Sequence, residues 1–120
     1  MVNRMKDFYE QLGLNYGEVI GRLGTDGIIR KFVIKFLSDK SYQNLKEGLE
    51  EKDVEKAFRA AHTLKGICLN LGFSNLYTPS SAITEKLRGG EMEGCEELFA
   101  QVQAEYEKLE TAIQKIAAEE

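Results

Sequence analysis

Apolar residues recur at steps of three and four along most of this chain, a spacing that places them on one face of an α-helix. The pattern is clearest in the middle of the sequence, where the apolar stripe consists of Val54, Ala57, Ala61, Leu64, Cys68 and Leu71. Asp53 can cap the first turn of this helix, and Gly72 suits the left-handed position that often follows a helix end. We therefore predict a central helix over residues 53–71.

Similar stripes predict helices on both sides of the central one. A short amphipathic helix covers residues 3–12, and a brief helix is expected over residues 16–23, where glycines punctuate the chain. Longer elements span residues 26–52, 74–88 and 94–118. In the first of these, the residues expected to be buried are Ile28, Ile29, Phe32, Val33, Phe36 and Leu37.

Polar residues mark the beginning of the 26–52 element and a weak point within it. Thr25 or Asp26 can accept hydrogen bonds from the free amides of its first turn. Residues 38–41 are polar and interrupt the apolar stripe, so we expect a break or kink there.

The single proline leaves two alternatives for the start of the 74–88 helix. Either this helix begins at Ser74 and is disturbed at Pro79, or Thr78 caps a helix that has the proline in its first position. Leu76 and Ile83 face inward in both cases.

Short connections join four long elements, over residues 26–52, 53–71, 74–88 and 94–118. Short connections make neighbouring helices antiparallel. The expected fold is therefore all-α, an antiparallel up-down-up-down four-helix bundle with a short leading N-terminal helix. Residues 1–120 are predicted to form one domain, with residues 1–24 as the leading segment and residues 26–118 as the bundle.

The last helix, over residues 94–118, also has a heptad-like apolar stripe that would suit a coiled-coil dimer. That stripe covers only about three heptads, and the other helices also need a partner. Packing within the chain, and hence a monomer, is the favoured interpretation.

Composition restricts the class of protein and its partners. The chain has 120 residues, of which 42% are hydrophobic and 30% charged, as is typical of one soluble globular domain. The net charge of −4 argues against nucleic acid as a partner. No apolar run is long enough to span a membrane, and the N-terminus lacks the apolar core of a signal peptide. We expect a cytoplasmic protein without a membrane partner.

The only histidine of the chain is the candidate for chemistry. His62 falls on the side of the central helix opposite the apolar stripe, with Phe58 and Arg59 one turn before it and Lys65 and Gly66 one turn after it. A glycine within a helix costs about 1 kcal/mol relative to alanine, but here it leaves room for a bulky group to approach the ring. An accessible imidazole with an adjacent ammonium suits a phosphoryl group better than a metal.

Other motifs of the chain carry less weight. A metal site would need more than one well-placed ligand, and the two cysteines, Cys68 and Cys95, form no such pattern and are expected to be free thiols. Glycines at positions 21, 24 and 27 lack the strand and the Gly-Lys-Ser/Thr sequence of a phosphate-binding loop. The carboxylates of Glu47, Glu50, Glu51 and Glu55 fit a solvated helix face.

The run His62-Thr63-Leu64-Lys65-Gly66, followed by Leu71-Gly72, resembles the signature of histidine-containing phosphotransfer (HPt) domains. The apolar spacing of this family continues at Leu76, Ile83 and Leu87. Leu69 departs from the family pattern, in which a small residue is usual at this position. The resemblance implies a helical bundle that carries a phosphoryl group on one histidine and exchanges it with aspartates of response-regulator receiver domains.

The resemblance also implies roles for individual residues. His62 would be the phosphoacceptor, Lys65 would stabilise the phosphoryl oxygens, and Gly66 would give the partner steric access. The expected partners are receiver domains and a hybrid or sensor histidine kinase. Mg²⁺ would be bound by the receiver, so the chain itself needs no cofactor and acts as a phosphocarrier rather than as an enzyme.

Phe58, Arg59 and Leu69 are the candidate partner-binding residues around the histidine. For Phe58, docking and partial burial against a neighbouring helix are equally supported, whereas docking is favoured for Leu69. The alternative function is a non-catalytic helical adaptor that binds signalling partners without phosphotransfer. An exposed histidine beside a glycine favours the phosphocarrier, since an adaptor needs neither.

Overall fold

The computed structural model describes residues 4–119, and every regular element within that range is helical, which confirms the expected all-α class. The elements are α1 (Arg4–Gln11), α2 (Tyr16–Leu23), α3 (Asp26–Lys35), a 3₁₀ turn (Phe36–Ser38), α4 (Ser41–Glu50), α5 (Val54–Leu71), α6 (Ser74–Arg88) and α7 (Cys95–Ala118). The helix predicted from residue 3 is α1, and residue 3 itself lies outside the described residues.

The predicted helix caps are present at three positions. The side chain of Thr25 accepts a hydrogen bond from the amide of Ile28 (3.2 Å), and that of Asp53 accepts one from the amide of Lys56 (3.1 Å). Gly72 follows α5 in the left-handed conformation, with φ of 71°. Local sequence therefore determines where α3 begins and where the central helix α5 begins and ends.

The single element predicted over residues 26–52 is wrong, because the chain divides it into α3, the 3₁₀ turn and α4. Asp39 is extended (φ −71°, ψ 138°), and its carboxylate accepts a hydrogen bond from the amide of Ser41 (2.9 Å). The polar break predicted at residues 38–41 is therefore confirmed, and it separates two helices rather than bending one.

Helix α6 begins at Ser74 and contains Pro79, so the alternative start at Thr78 is wrong. Ser74 is the first helical residue rather than the cap, and the capping position is taken by Phe73 without a side-chain hydrogen bond. The missing amide of Pro79 removes one hydrogen bond from the helix. The proline is buried, and its packing into the core offsets that loss.

Helix α5 lies at the centre of the molecule, where it packs against α4 and α6, while α6 packs in turn against α7. The shorter α1 and α2 cover the C-terminal end of α5, and the hydroxyl of Tyr9 donates a buried hydrogen bond to the carbonyl of Leu71 (2.6 Å). The largest fully buried side chains are Tyr9, Phe73, Met5, Ile29, Leu45, Leu64, Leu76, Ile83, Leu87, Ile113, Val19 and Val33.

Two residues of α3 that were predicted to be buried are exposed. Ile28 is 42% exposed and Phe32 is 39% exposed, whereas Ile29, Val33 and Phe36 are buried. The apolar stripe of α3 is wider than the surface that its neighbours cover, at about 100° of rotation per residue. Only one edge of the stripe enters the core, and the other edge stays at the surface.

Candidate functional site

His62 lies on the outward face of α5, as the sequence predicts. Ala57, Ala61, Leu64 and Cys68, which form the inward stripe of the same helix, are all buried, whereas the imidazole is exposed to solvent. The helical periodicity of α5 therefore directs its only histidine away from the core.

Gly66, one turn after the histidine, is not required by the packing of the chain. A Cβ atom added at this position would meet nothing within 4 Å. The contrast is Gly48, where an added Cβ would lie 2.7 Å from the backbone nitrogen of Ala57, so that the close approach of α4 and α5 requires a glycine. The missing side chain of Gly66 instead leaves the surface beside His62 open.

The ring of Phe58 lies one turn before His62 on the same helix, on the side towards the helix N-terminus. The rings of Phe58 and His62 are nearly parallel, with an interplanar angle of 5° and centroids 5.9 Å apart. Phe58 is half-buried, and the guanidinium carbon of Arg88 lies 5.1 Å from its ring centroid. Arg88, at the end of α6, therefore places its positive charge against the ring of Phe58, which is parallel to the imidazole.

The ammonium group of Lys65 is directed towards α6. Its Nζ lies 3.8 Å from Oε2 of Glu85, and its side chain is only 23% exposed. Glu85 also accepts hydrogen bonds from Arg88, with 3.3 Å between Nε and Oε1 and 3.4 Å between Nη2 and Oε2. One carboxylate is thus shared by Lys65 and Arg88.

The predicted partner-binding residues lie on the same helix as His62. Leu69 is 58% exposed, the most exposed of the large apolar side chains within residues 4–119. Arg59 is exposed and forms an ion pair with Glu55 on its own helix. Phe58 is neither fully buried nor fully exposed, so it can serve both packing and contact with a partner.

Sequence reasoning missed the contacts that Arg88, Glu85 and Arg22 make with α5 or with the residues beside it. The guanidinium of Arg22 donates hydrogen bonds to the backbone carbonyls of Leu69 (3.0 Å) and Asn70 (3.2 Å), which ties α2 to the last turn of α5. No local motif marks these three residues. The sequence predicts that α5 and α6 are antiparallel neighbours. This prediction could have suggested that the end of α6, with Glu85 and Arg88, lies near the beginning of α5.

Two further features bear on the chemistry of the described residues: their metal-binding side chains and the thiol of Cys68. Among residues 4–119 there is no group of three or more histidine, cysteine or acidic side chains that could hold a metal ion. Burial, together with the nearby charge of Asp39, raises the pKa of the Cys68 thiol and keeps it protonated. His62 is exposed on this face of α5, and an exposed neutral imidazole can act as a nucleophile.

A comparison with protein families identifies the class to which this chain belongs. The family model of the Hpt domain matches residues 37–112, from the 3₁₀ turn into α7, and the match includes the whole of α5 and α6. The chain therefore belongs to the Hpt domain family, whose members take part in histidine phosphotransfer in phosphorelays together with receiver domains and histidine kinases. Neither curated proteins nor solved structures give a significant match.

Within the described range of residues, no helix combines the length and the apolar character that crossing a bilayer requires.

Proposed function

We propose that this protein is a histidine phosphocarrier of a two-component phosphorelay, which accepts a phosphoryl group on His62 from the aspartyl phosphate of one receiver domain and passes it to another. The observation that carries this proposal is an exposed imidazole next to a helical glycine that the fold does not need. A non-catalytic adaptor would leave Gly66, with its cost in helix stability, without a purpose.

The proposed step is an in-line displacement at phosphorus. A lone pair of the neutral imidazole forms a nitrogen–phosphorus bond, while the bond from phosphorus to the aspartyl oxygen breaks and its electron pair leaves with the carboxylate. The other ring nitrogen then releases its proton to solvent, which gives a neutral phosphorylated ring. The return step reverses these changes towards the aspartate of the accepting receiver.

In this proposal the chain contributes position and charge. Phe58 orients the imidazole through ring stacking, and Lys65 and Arg88 stabilise the phosphoryl oxygens. Gly66 lets the active site of the partner approach the ring. The receiver would bind Mg²⁺, and the protein is a phosphotransfer intermediate that relies on receiver and kinase domains rather than an enzyme in its own right.

Leu69, Phe58 and Arg59 are proposed to contact the receiver. An exposed apolar side chain with charged residues around it is typical of protein-binding surfaces. The size of Leu69, which exceeds what the family pattern leads one to expect, would add apolar area on one side of His62.

We also propose that α4, α5, α6 and α7 form the antiparallel up-down-up-down bundle, with the segments before α4 covering one end. Two contacts support the opposite directions of α5 and α6: Arg88 with Phe58, and Lys65 with Glu85. The protein is further proposed to be monomeric and cytoplasmic, and its net charge of −4 argues against nucleic acid as a partner.

Phosphorylation with a small donor and with receivers tests the function directly. The wild-type protein, incubated with phosphoramidate or with a panel of phosphorylated receiver domains, should gain one acid-labile phosphate. His62→Gln, verified as folded by circular dichroism, should gain none. The absence of phosphate on the folded wild-type protein with every donor would exclude the phosphocarrier and favour the adaptor.

A further inference from the structure

We infer that Glu85 is a positioning residue that competes with the phosphoryl group for Lys65 and Arg88 and thereby lowers the stability of the phosphorylated protein. This inference rests on the proposed phosphorylation of His62. It assigns a function to a carboxylate that does not itself touch the imidazole in the unphosphorylated chain.

The geometry shows one carboxylate holding two cations weakly. The Nζ–Oε2 distance of the Lys65–Glu85 pair is 3.8 Å, near the outer limit of an ion pair, and the bonds from Arg88 to Glu85 are 3.3–3.4 Å long. The side chain of Glu85 is 56% exposed, so water and salt screen these interactions. Contacts of this kind exchange readily for a stronger anion.

Both cations can reach a phosphoryl group on the histidine. Lys65 is three residues after His62 on the same helix, a spacing at which helical side chains are neighbours. Arg88 lies over the ring of Phe58, which is itself parallel to the imidazole. In the proposed competition, a change of side-chain rotamer turns Lys65 or Arg88 from Glu85 towards the space beside the imidazole, which Gly66 leaves open.

Charge determines which anion wins this competition. A phosphoryl group carries about two negative charges and three acceptor oxygens near pH 7, against one charge on a carboxylate. Lys65 and Arg88 therefore move to the phosphoryl group, and Glu85 is left as an unpaired negative charge near a dianion. Breaking the pairs of Glu85 with Lys65 and Arg88 offsets part of the stabilisation that these cations give to the phosphorylated state, and no covalent bond of Glu85 changes.

The consequence is a phosphohistidine that is stabilised only partly. A carrier that held the phosphoryl group with two free cations would donate it reluctantly, because the ground state would be too stable. By keeping a competing anion in place, the chain favours onward transfer. Glu85 thus sets the balance between acceptance and donation.

The test uses the full chain with Glu85→Gln, and with Glu105→Gln as the matched control. Glu105 pairs with Lys108 three residues later (3.4 Å), as Glu85 does with Arg88, but it lies on α7. Each protein is phosphorylated with phosphoramidate, the donor is removed, and phosphohistidine loss is followed at pH 7. At low salt we expect the phosphohistidine of Glu85→Gln to have a half-life about threefold longer than that of the wild-type protein, an effect of the size typical of exposed charge pairs. The half-life of Glu105→Gln should equal that of the wild-type protein.

Three further measurements separate competition from a structural effect. Glu85→Asp, which keeps the charge, should retain the wild-type half-life. The gain in Glu85→Gln should shrink at 1 M salt, where the screening length is about 3 Å. In the Lys65→Gln/Arg88→Gln background, adding Glu85→Gln should give a smaller gain, because the cations for which it competes are gone.

The outcomes distinguish this inference from the function on which it rests. Equal half-lives for Glu85→Gln and Glu105→Gln, with the wild-type protein phosphorylated, would overturn the role of Glu85 and leave the phosphocarrier intact. The same gain with and without Lys65 and Arg88 would also overturn it. A wild-type protein that takes up no phosphate from any donor would overturn both.

Discussion

The ring of Phe58 lies parallel to that of His62, with centroids 5.9 Å apart, and it supports the imidazole from one turn earlier on the same helix. Phe58 is half-buried and packs against the core, which restrains its ring. A nucleophile held in this way loses less freedom when a partner binds.

We expect Phe58→Leu to slow phosphoryl transfer from a receiver by about tenfold, because a less well oriented imidazole spends less time in the reactive geometry. The matched control is Phe99→Leu in α7. This variant removes a ring that is stacked on the ring of Tyr42, with 5.5 Å between the centroids. Both variants should lose about 1 kcal/mol of unfolding free energy, measured in urea. Equal transfer rates in the two variants would show that the stacking on His62 has no functional role.

Gly66→Ala should separate stability from function. Apart from its chain neighbours and the backbone of its own helix, the added methyl group meets no atom within 4 Å, so the isolated protein should become more stable by about 1 kcal/mol. Transfer from a receiver should nevertheless slow, because the methyl group occupies the surface that the partner must approach.

Gly21→Ala is the control for this prediction, since an added Cβ there also meets nothing and Gly21 lies in α2. It should leave transfer unchanged. Phosphorylation of Gly66→Ala by phosphoramidate, a small donor, should be much less affected than transfer from a receiver. A Gly66→Ala protein that exchanges with receivers at the wild-type rate would remove the access role of the glycine.

Helix periodicity and capping residues were sufficient to predict α5 and the face on which His62 lies. Both features depend on residues within about one turn of each other, so they are encoded locally. The same reasoning located the break near Asp39 but did not show that it divides one element into two helices.

Features that depend on contacts between helices could not be predicted in the same way. The pattern in α3 shows a wide apolar stripe, but which edge is covered depends on how the neighbouring helices approach, and so Ile28 and Phe32 were misassigned. The pairing of Lys65 with Glu85 likewise requires the relative position of α5 and α6. The sequence predicts Lys65 as the cation of the site, whereas the position of Arg88 over the ring of Phe58 is known only from the structure.

Lys65 and Arg88 should support the phosphoryl group jointly. We expect Lys65→Ala and Arg88→Ala each to slow transfer by about threefold to tenfold, and the double variant to lose more than the product of the single effects, since each cation can partly replace the other. Lys108→Ala, which breaks a surface pair on α7, is the control. Single-turnover transfer kinetics at constant ionic strength provide the measurement. Wild-type rates in the double variant would contradict the assignment of both cations.

Stability should fall as the pH rises above about 9, in part because of Cys68. Burial raises the pKa of its thiol above the ordinary value of 9.0, so in this range the unfolded chain releases a proton that the folded chain retains. Proton release favours the unfolded state, by about 1.4 kcal/mol per pH unit for one group between its unfolded and folded pKa values.

Cys68→Ala tests this pH dependence. Urea unfolding at pH 8, 9, 10 and 10.5, under reducing conditions, should show a shallower alkaline decline in the variant, although its stability at pH 8 is lower because of the lost packing. The buried hydroxyl of Tyr9, whose pKa burial also raises, keeps part of the decline in both proteins. Identical slopes in the variant and the wild-type protein would show that Cys68 does not titrate on unfolding.

Leu69→Ala should weaken receiver binding without affecting the histidine itself. Leu69 is 58% exposed, so its truncation should change the unfolding free energy by less than about 0.5 kcal/mol. If the receiver buries this side chain, calorimetric titration should give an affinity lower by about fivefold to thirtyfold, as loss of a contact residue at the centre of an interface does. Phosphorylation by phosphoramidate should proceed at the wild-type rate, because a small donor does not use the docking surface. An unchanged receiver affinity would place the docking surface elsewhere, and reduced phosphorylation by both donors would instead assign Leu69 to the orientation of His62.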